Sequence, residues 1–167
     1  MEQLGEYPSA GLGVRVPVPT SPDRFVVHVS GDNRFVFHVN GQRVGAGPAR
    51  GDTYHWRFQT FDLAPFLRPG PNLLSALVWN FGTQAPVAQV SLRTGLVVQG
   101  NGPDEEGAGT DATWQCAPEP GHQPWPEGAL ALRAQQYFVV GPGERLDAAQ
   151  YDWDWARLPD SPAPGGR

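Results

Sequence analysis

Asn40-Gly41 constrains this chain more than any other dipeptide in it. A two-residue type I′ hairpin turn needs positive φ at both central positions, and Asn followed by Gly supplies that most readily. The pair sits between RFVFHV (34–39) and QRVG (42–45). In the first segment Phe35, Phe37 and Val39 alternate with Val36 and His38, the period of a strand with one buried face. FVVHVS (25–30) puts Phe25, Val27 and Val29 on one face in the same way. Gly31-Asp32-Asn33 reads as the turn joining these two strands, which predicts His28 facing His38 across a hairpin. GAGPARGD (45–52) is a loop whose three glycines permit close backbone approach, and HWRFQTF (55–61) is the next strand. Asp62 is placed to cap a short helical turn that ends at Pro69-Gly70. LLSALVWNF (73–81) has the near-continuous apolar run of a central strand buried on both faces.

Weaker strand signals continue to the end: alternating Val14, Val16 and Val18, then 89–98, 112–116 and YFVV at 137–140. Twenty-one glycines and 18 prolines in 167 residues are the punctuation of many turns. Together these predict one all-β domain, an antiparallel β-sandwich of jelly-roll type with little helix. Residues 1–22 are expected to be an arm or edge strand, 23–150 the sandwich, and 151–167 a Trp-containing tail with a linker-like end.

The formal net charge is −5, and the arginines, which are the chain's only basic side chains besides His, stand singly. Nucleic-acid binding needs clustered cations, so no such partner is expected. The absence of Lys and Ile fits a GC-rich coding sequence. No apolar run is long enough for a membrane span, and no signal-peptide pattern opens the chain. A cytoplasmic location is therefore expected, although a chain whose secretion signal had been removed would read the same way. The single Cys116 rules out an internal disulfide and has no His at a catalytic spacing.

No acid–base pair suits a glycosidase, which needs two carboxylates facing one bond. Asp104, Glu105 and Glu106 are adjacent on a Gly-rich loop and read as a solvated acidic segment. The four histidines, His28, His38, His55 and His122, do not form the four-ligand set of a structural zinc site.

DNRFVFHVNGQRVGAGPARGD, HWRFQTFDLAPFLRPGPN and LLSALVWNFG, in that order, resemble the N-terminal galactose-binding-like β-sandwich of bacterial α-L-rhamnosidases and related glycoside hydrolases. SLRTGLVVQG, TDATWQC and YFVVGPGERLDAAQYDWDW extend the resemblance over roughly 25–155. It implies a non-catalytic accessory domain, with catalysis in a separate (α/α)-barrel. The partner would be a rhamnose-containing carbohydrate or that catalytic domain. A sugar site needs an aromatic platform and planar polar groups. Trp56, Trp79 and Asn80 are candidates, with Arg50, Asp52 and Arg57 beside them. Some relatives bind rhamnose with calcium, a hard cation that seeks several oxygens. Asp32, Asn33 and Asp52 are the loop oxygens available. The competing readings are an interface domain without sugar affinity, and a small glycosidase for which no acid–base pair is visible.

Overall fold

The computed structural model describes residues 9–82, 85–86, 88–125, 133–134, 137–138 and 143–156. The strands are β1 (Ser9–Val18), β2 (Val26–Asp32), β3 (Arg34–Val39), β4 (Gln42–Gly47), β5 (Gln59–Asp62), β6 (Gly70–Trp79) and β7 (Gly95–Gly100). After them come β8 (Gln115–Pro118), β9 (His122–Pro124), β10 (Arg133–Ala134), β11 (Tyr137–Phe138) and β12 (Glu144–Leu146). Among the described residues, short 3-10 turns lie at Ala64–Phe66 and Pro103–Ala108.

Two antiparallel sheets form the sandwich. The larger runs β4-β3-β6-β1-β8 and the smaller β5-β2-β7. Their facing side chains make one core: Val14, Val16 and Val18 from β1, Phe35, Phe37 and Val39 from β3, and Leu74, Ala76 and Val78 from β6, against Val27, Val29 and Val98. The alternation read from the sequence is therefore the alternation of burial. β6 is the central strand, and Ser75 and Leu77 on its other face are buried too. The sandwich is all-β and antiparallel, as the strand and turn pattern predicts.

Asn40 and Gly41 have φ of 52° and 80°, and Val39 pairs with Gln42 across them. Asn40 does more than turn the chain. Its amide donates to Phe66 O and Asn72 Oδ1, and its carbonyl accepts Leu73 N–H at 3.0 Å. Asn72, fully buried, also accepts from Arg68 N and donates to the Arg68 and Gly70 carbonyls. The hairpin tip is thereby fastened to the entry of β6. Gly45 is required by Phe61: a Cβ there would lie 2.4 Å from that ring.

Four expectations are corrected. β2 and β3 do not form a hairpin, because the chain passes from one sheet to the other at Asp32–Asn33. His28 and His38 accordingly lie on different sheets. The 55–61 strand begins only at Gln59, and 53–55 bend instead. Glu105 is not solvated: it is 9% exposed, and its carboxylate accepts Val26 N–H at 3.1 Å. β1 is an inner strand beside β6, flanked by β8 along Ala10–Gly13, rather than an arm or edge. Asp62 does accept Ala64 N–H, but its stronger contact is Phe25 N–H, which ties the turn to the start of β2 and holds its carboxyl below the usual range. Val139 and Val140 lie outside the described residues.

The segments around β9 and after β12 return over the outer face of the larger sheet. Ser9 Oγ lies within hydrogen-bond reach of the Glu119 and His122 carbonyls, which share its one proton, His122 stands edge-on to Trp79, and Trp155 stands edge-on to His38. Buried Glu119 joins the two passes by accepting Gly121 N–H and Asp152 N–H.

Candidate functional site

The corner where the chain changes sheets is built from Asp32 and Asn33. Both are buried. Asp32 Oδ2 accepts the N–H groups of Leu92 and Arg93, each at 2.7 Å, and Oδ1 accepts the side-chain amides of Asn33 and Asn80. Asn33 Oδ1 accepts Phe81 N–H at 2.8 Å, and Asn80 reaches on to Ser91 Oγ. A buried carboxylate surrounded by N–H donors is stable because each lone pair is satisfied. The knot holds Asn80 and Phe81 together with Ser91, Leu92 and Arg93 at the end of the sandwich.

On the other side of this corner lies the 48–58 loop. Asn33, Pro48, Gly51, Trp56, Arg57 and Val90 line one small cleft. Trp56 is half-buried there, and Arg57 and Arg50 are exposed. Asp52 closes the loop in a tight turn: it accepts Tyr54 N–H and His55 N–H at 2.8 Å and His55 Nδ1 at 3.0 Å. The His55 contact holds the Asp52 carboxyl below its ordinary range. Tyr54 projects at 91% exposure. Of the candidates, Trp56 and Arg57 line this cleft, whereas Arg50 and Asp52 belong to the same loop but do not line it. An aromatic body beside a guanidinium group can accept a sugar ring and its hydroxyls.

Trp79 and Asn80 are placed elsewhere. Trp79 lies on the outer face of the larger sheet, its ring centroid 5.8 Å from that of His122. Asn80 is used in the Asp32 knot. The three oxygen donors proposed for calcium are also engaged: Asp32 and Asn33 by N–H groups, Asp52 by its own turn. They do not fit a cation site as they stand, since each carboxylate already serves donors rather than sharing a metal. Among the described residues no three His, Cys, Asp or Glu side chains gather around a common point. Cys116 is exposed on edge strand β8, and partial burial of the sulfur pushes its thiol up.

Antiparallel sandwiches of this kind form a broad class that hosts many functions. No family model and no curated protein matches the chain. Solved structures do. The GH78 family rhamnosidase of Bacillus sp. GL1 is 27% identical, with a TM-score of 0.75 over 90% of this chain and 15% of its own. The α-L-rhamnosidase from Dictyoglumus thermophilum is 14% identical with a TM-score of 0.62, over 93% of this chain and 16% of that one. The α-L-rhamnosidase from Aspergillus terreus is 13% identical with a TM-score of 0.58, over 95% and 18%. The last two share the fold. The chain spans about 15% of the length of the Bacillus enzyme, so it corresponds to a single domain of such rhamnosidases. The resemblance read from the ordered motifs therefore holds in three dimensions.

Proposed function

We propose that this chain acts as a non-catalytic accessory domain of an α-L-rhamnosidase-type glycoside hydrolase and contacts rhamnose-containing carbohydrate through its 50–57 loop. The observation that carries this reading is the placing of Trp56 and Arg57 in one cleft, with Arg50 and Asp52 on the same loop, at one end of a sandwich similar to a single domain of a rhamnosidase. Trp56 would present its ring to the C–H face of the sugar. The arginines would donate to hydroxyls, and Asp52 would fix the loop rather than touch the ligand. A second reading is docking onto the remainder of a larger enzyme without sugar affinity. It is favoured by Leu92, held outward at 70% exposure beside the Asp32 knot.

Calorimetric titration with L-rhamnose, first with calcium and then with chelator, separates the readings. Saturable heat that Trp56→Ala abolishes in a folded variant supports binding at the loop. Loss of that heat in chelator adds a calcium requirement. No heat at millimolar sugar in either condition would sink sugar contact at this loop and leave docking.

A further inference from the structure

The outer face of the smaller sheet carries a second set of polar and aromatic side chains. His28 on β2 lies opposite Thr60 of β5 and Gln99 of β7 in register. Its Nδ1 is 2.9 Å from Thr60 Oγ1 and its Nε2 is 3.3 Å from Asn101 Oδ1. With a proton on Nε2 the ring donates to Asn101 Oδ1, while Nδ1 pairs with the Thr60 hydroxyl. Asn101 is thereby oriented through its carbonyl, and its NH2 group is left to donate elsewhere. Phe58 stands edge-on to the same histidine, ring centroids 5.3 Å apart, and is 58% exposed. At the β7 side the face runs into a shallow, open depression lined by Gln99, Asn101, Gly102, Glu106 and Thr110.

This combination selects a class of ligand. Two amides and a carboxylate offer donors and acceptors without an excess of positive charge, which disfavours phosphate; the Thr110 hydroxyl is held by the Val98 backbone. The exposed ring lies two strands from Gln99, about 10 Å away at the usual strand spacing. That span suits two linked sugar rings better than one. We propose that this face is a second saccharide-contact site, with Phe58 as the apolar platform, Gln99 and Asn101 as the amide donors and Glu106 as an acceptor for hydroxyls. His28 is a positioning residue. The site rests on the carbohydrate reading above but uses none of the residues of the 50–57 loop.

The test is amide chemical-shift mapping of the whole isotope-labelled chain, titrated with an α-linked L-rhamnose disaccharide. Saturable shifts at 97–110 and at Phe58 are expected. Asn101→Ala should weaken that binding about tenfold, the loss of one hydrogen bond in a partly wet site. Exposed Gln99→Ala should do likewise without disturbing the His28 contacts. Shifts confined to 50–57 overturn this site and leave the loop site standing. Shifts confined to 97–110 support this site and overturn the loop. No shift at either place overturns both, and shifts at 97–110 that neither variant weakens overturn the assigned roles.

Discussion

Trp155 meets His38 edge-on, with ring centroids 5.0 Å apart and planes 83° apart. His38 belongs to the larger sheet and Trp155 to the segment returning over it, so this contact joins two distant parts of the chain. Burial, with Arg43 nearby, lowers the affinity of His38 for a proton below the ordinary value of 6.5. The unfolded chain then binds the proton more readily than the folded one. Stability contributed by the neutral ring is complete above the ordinary value and is lost as the pH falls through the lower folded value.

Urea midpoints should therefore drop as pH falls below about 6.5, accompanied by a change in tryptophan fluorescence. His38→Phe, which keeps the ring contact without the proton, should flatten that part of the profile. A variant whose midpoint still falls with the parent slope would remove His38 as the cause.

Asp32 is the acceptor for two backbone N–H groups at the sheet-changing corner. Asp32→Ala leaves Leu92 and Arg93 amides without their partner and should cost about 3 kcal/mol, since hydrogen bonds to a charged group are among the stronger ones. That corresponds to a fall in Tm of roughly 6–12 °C for a chain of this size. Asp32→Asn should lose less, keeping one acceptor oxygen. Calorimetric Tm values for both variants decide it, and equal losses would contradict the acceptor count.

Gly45 faces the Phe61 ring, which in turn stacks on Phe37 at 6.2 Å. Gly45→Ala forces that ring to move and should destabilise by about 1–3 kcal/mol, the usual range for overpacking a core. Denaturant unfolding with an unchanged m-value is the expected form. A stability equal to the parent would mean the ring has room to yield.

Cys116 is exposed, yet its thiol is pushed up. It should react with a disulfide reagent in the folded protein without denaturant, slowly at neutral pH. The rate should climb about tenfold per pH unit while the thiolate remains the minor form. A flat rate between pH 7 and 8 would show that something other than ionisation limits it.

The sandwich was legible because its strands obey local rules. Asn40-Gly41 needs one backbone conformation, and Phe35, Phe37 and Val39 repeat with the period of a strand. What the residues did not say is which sheet each strand joins. Gly31-Asp32-Asn33 serves a tight turn and a passage between sheets equally well, because both ask for small or polar residues with permissive backbone. The face of Trp79 was hidden for a different reason: β6 is buried on both sides, so its side chains show no period. Trp56 and Arg57 could be named because they are neighbours in sequence. Phe58, Gln99 and Asn101 carry no such signal, because they reach one sheet face only through the pairing of β5, β2 and β7, which lie far apart along the chain.

Ser9 pairs with Trp79 in the sheet and also holds the carbonyls of Glu119 and His122. One residue near the start thus waits for partners from the middle and the last third of the chain. Closing such long loops costs entropy before any contact rewards it. Folding should be slow for a chain of this length, in the millisecond-to-second range of proteins dominated by non-local pairing. Until β1 arrives, the exposed edge of β6 is a strand in search of a neighbour. In a crowded solution its first suitor could be the same edge on another copy.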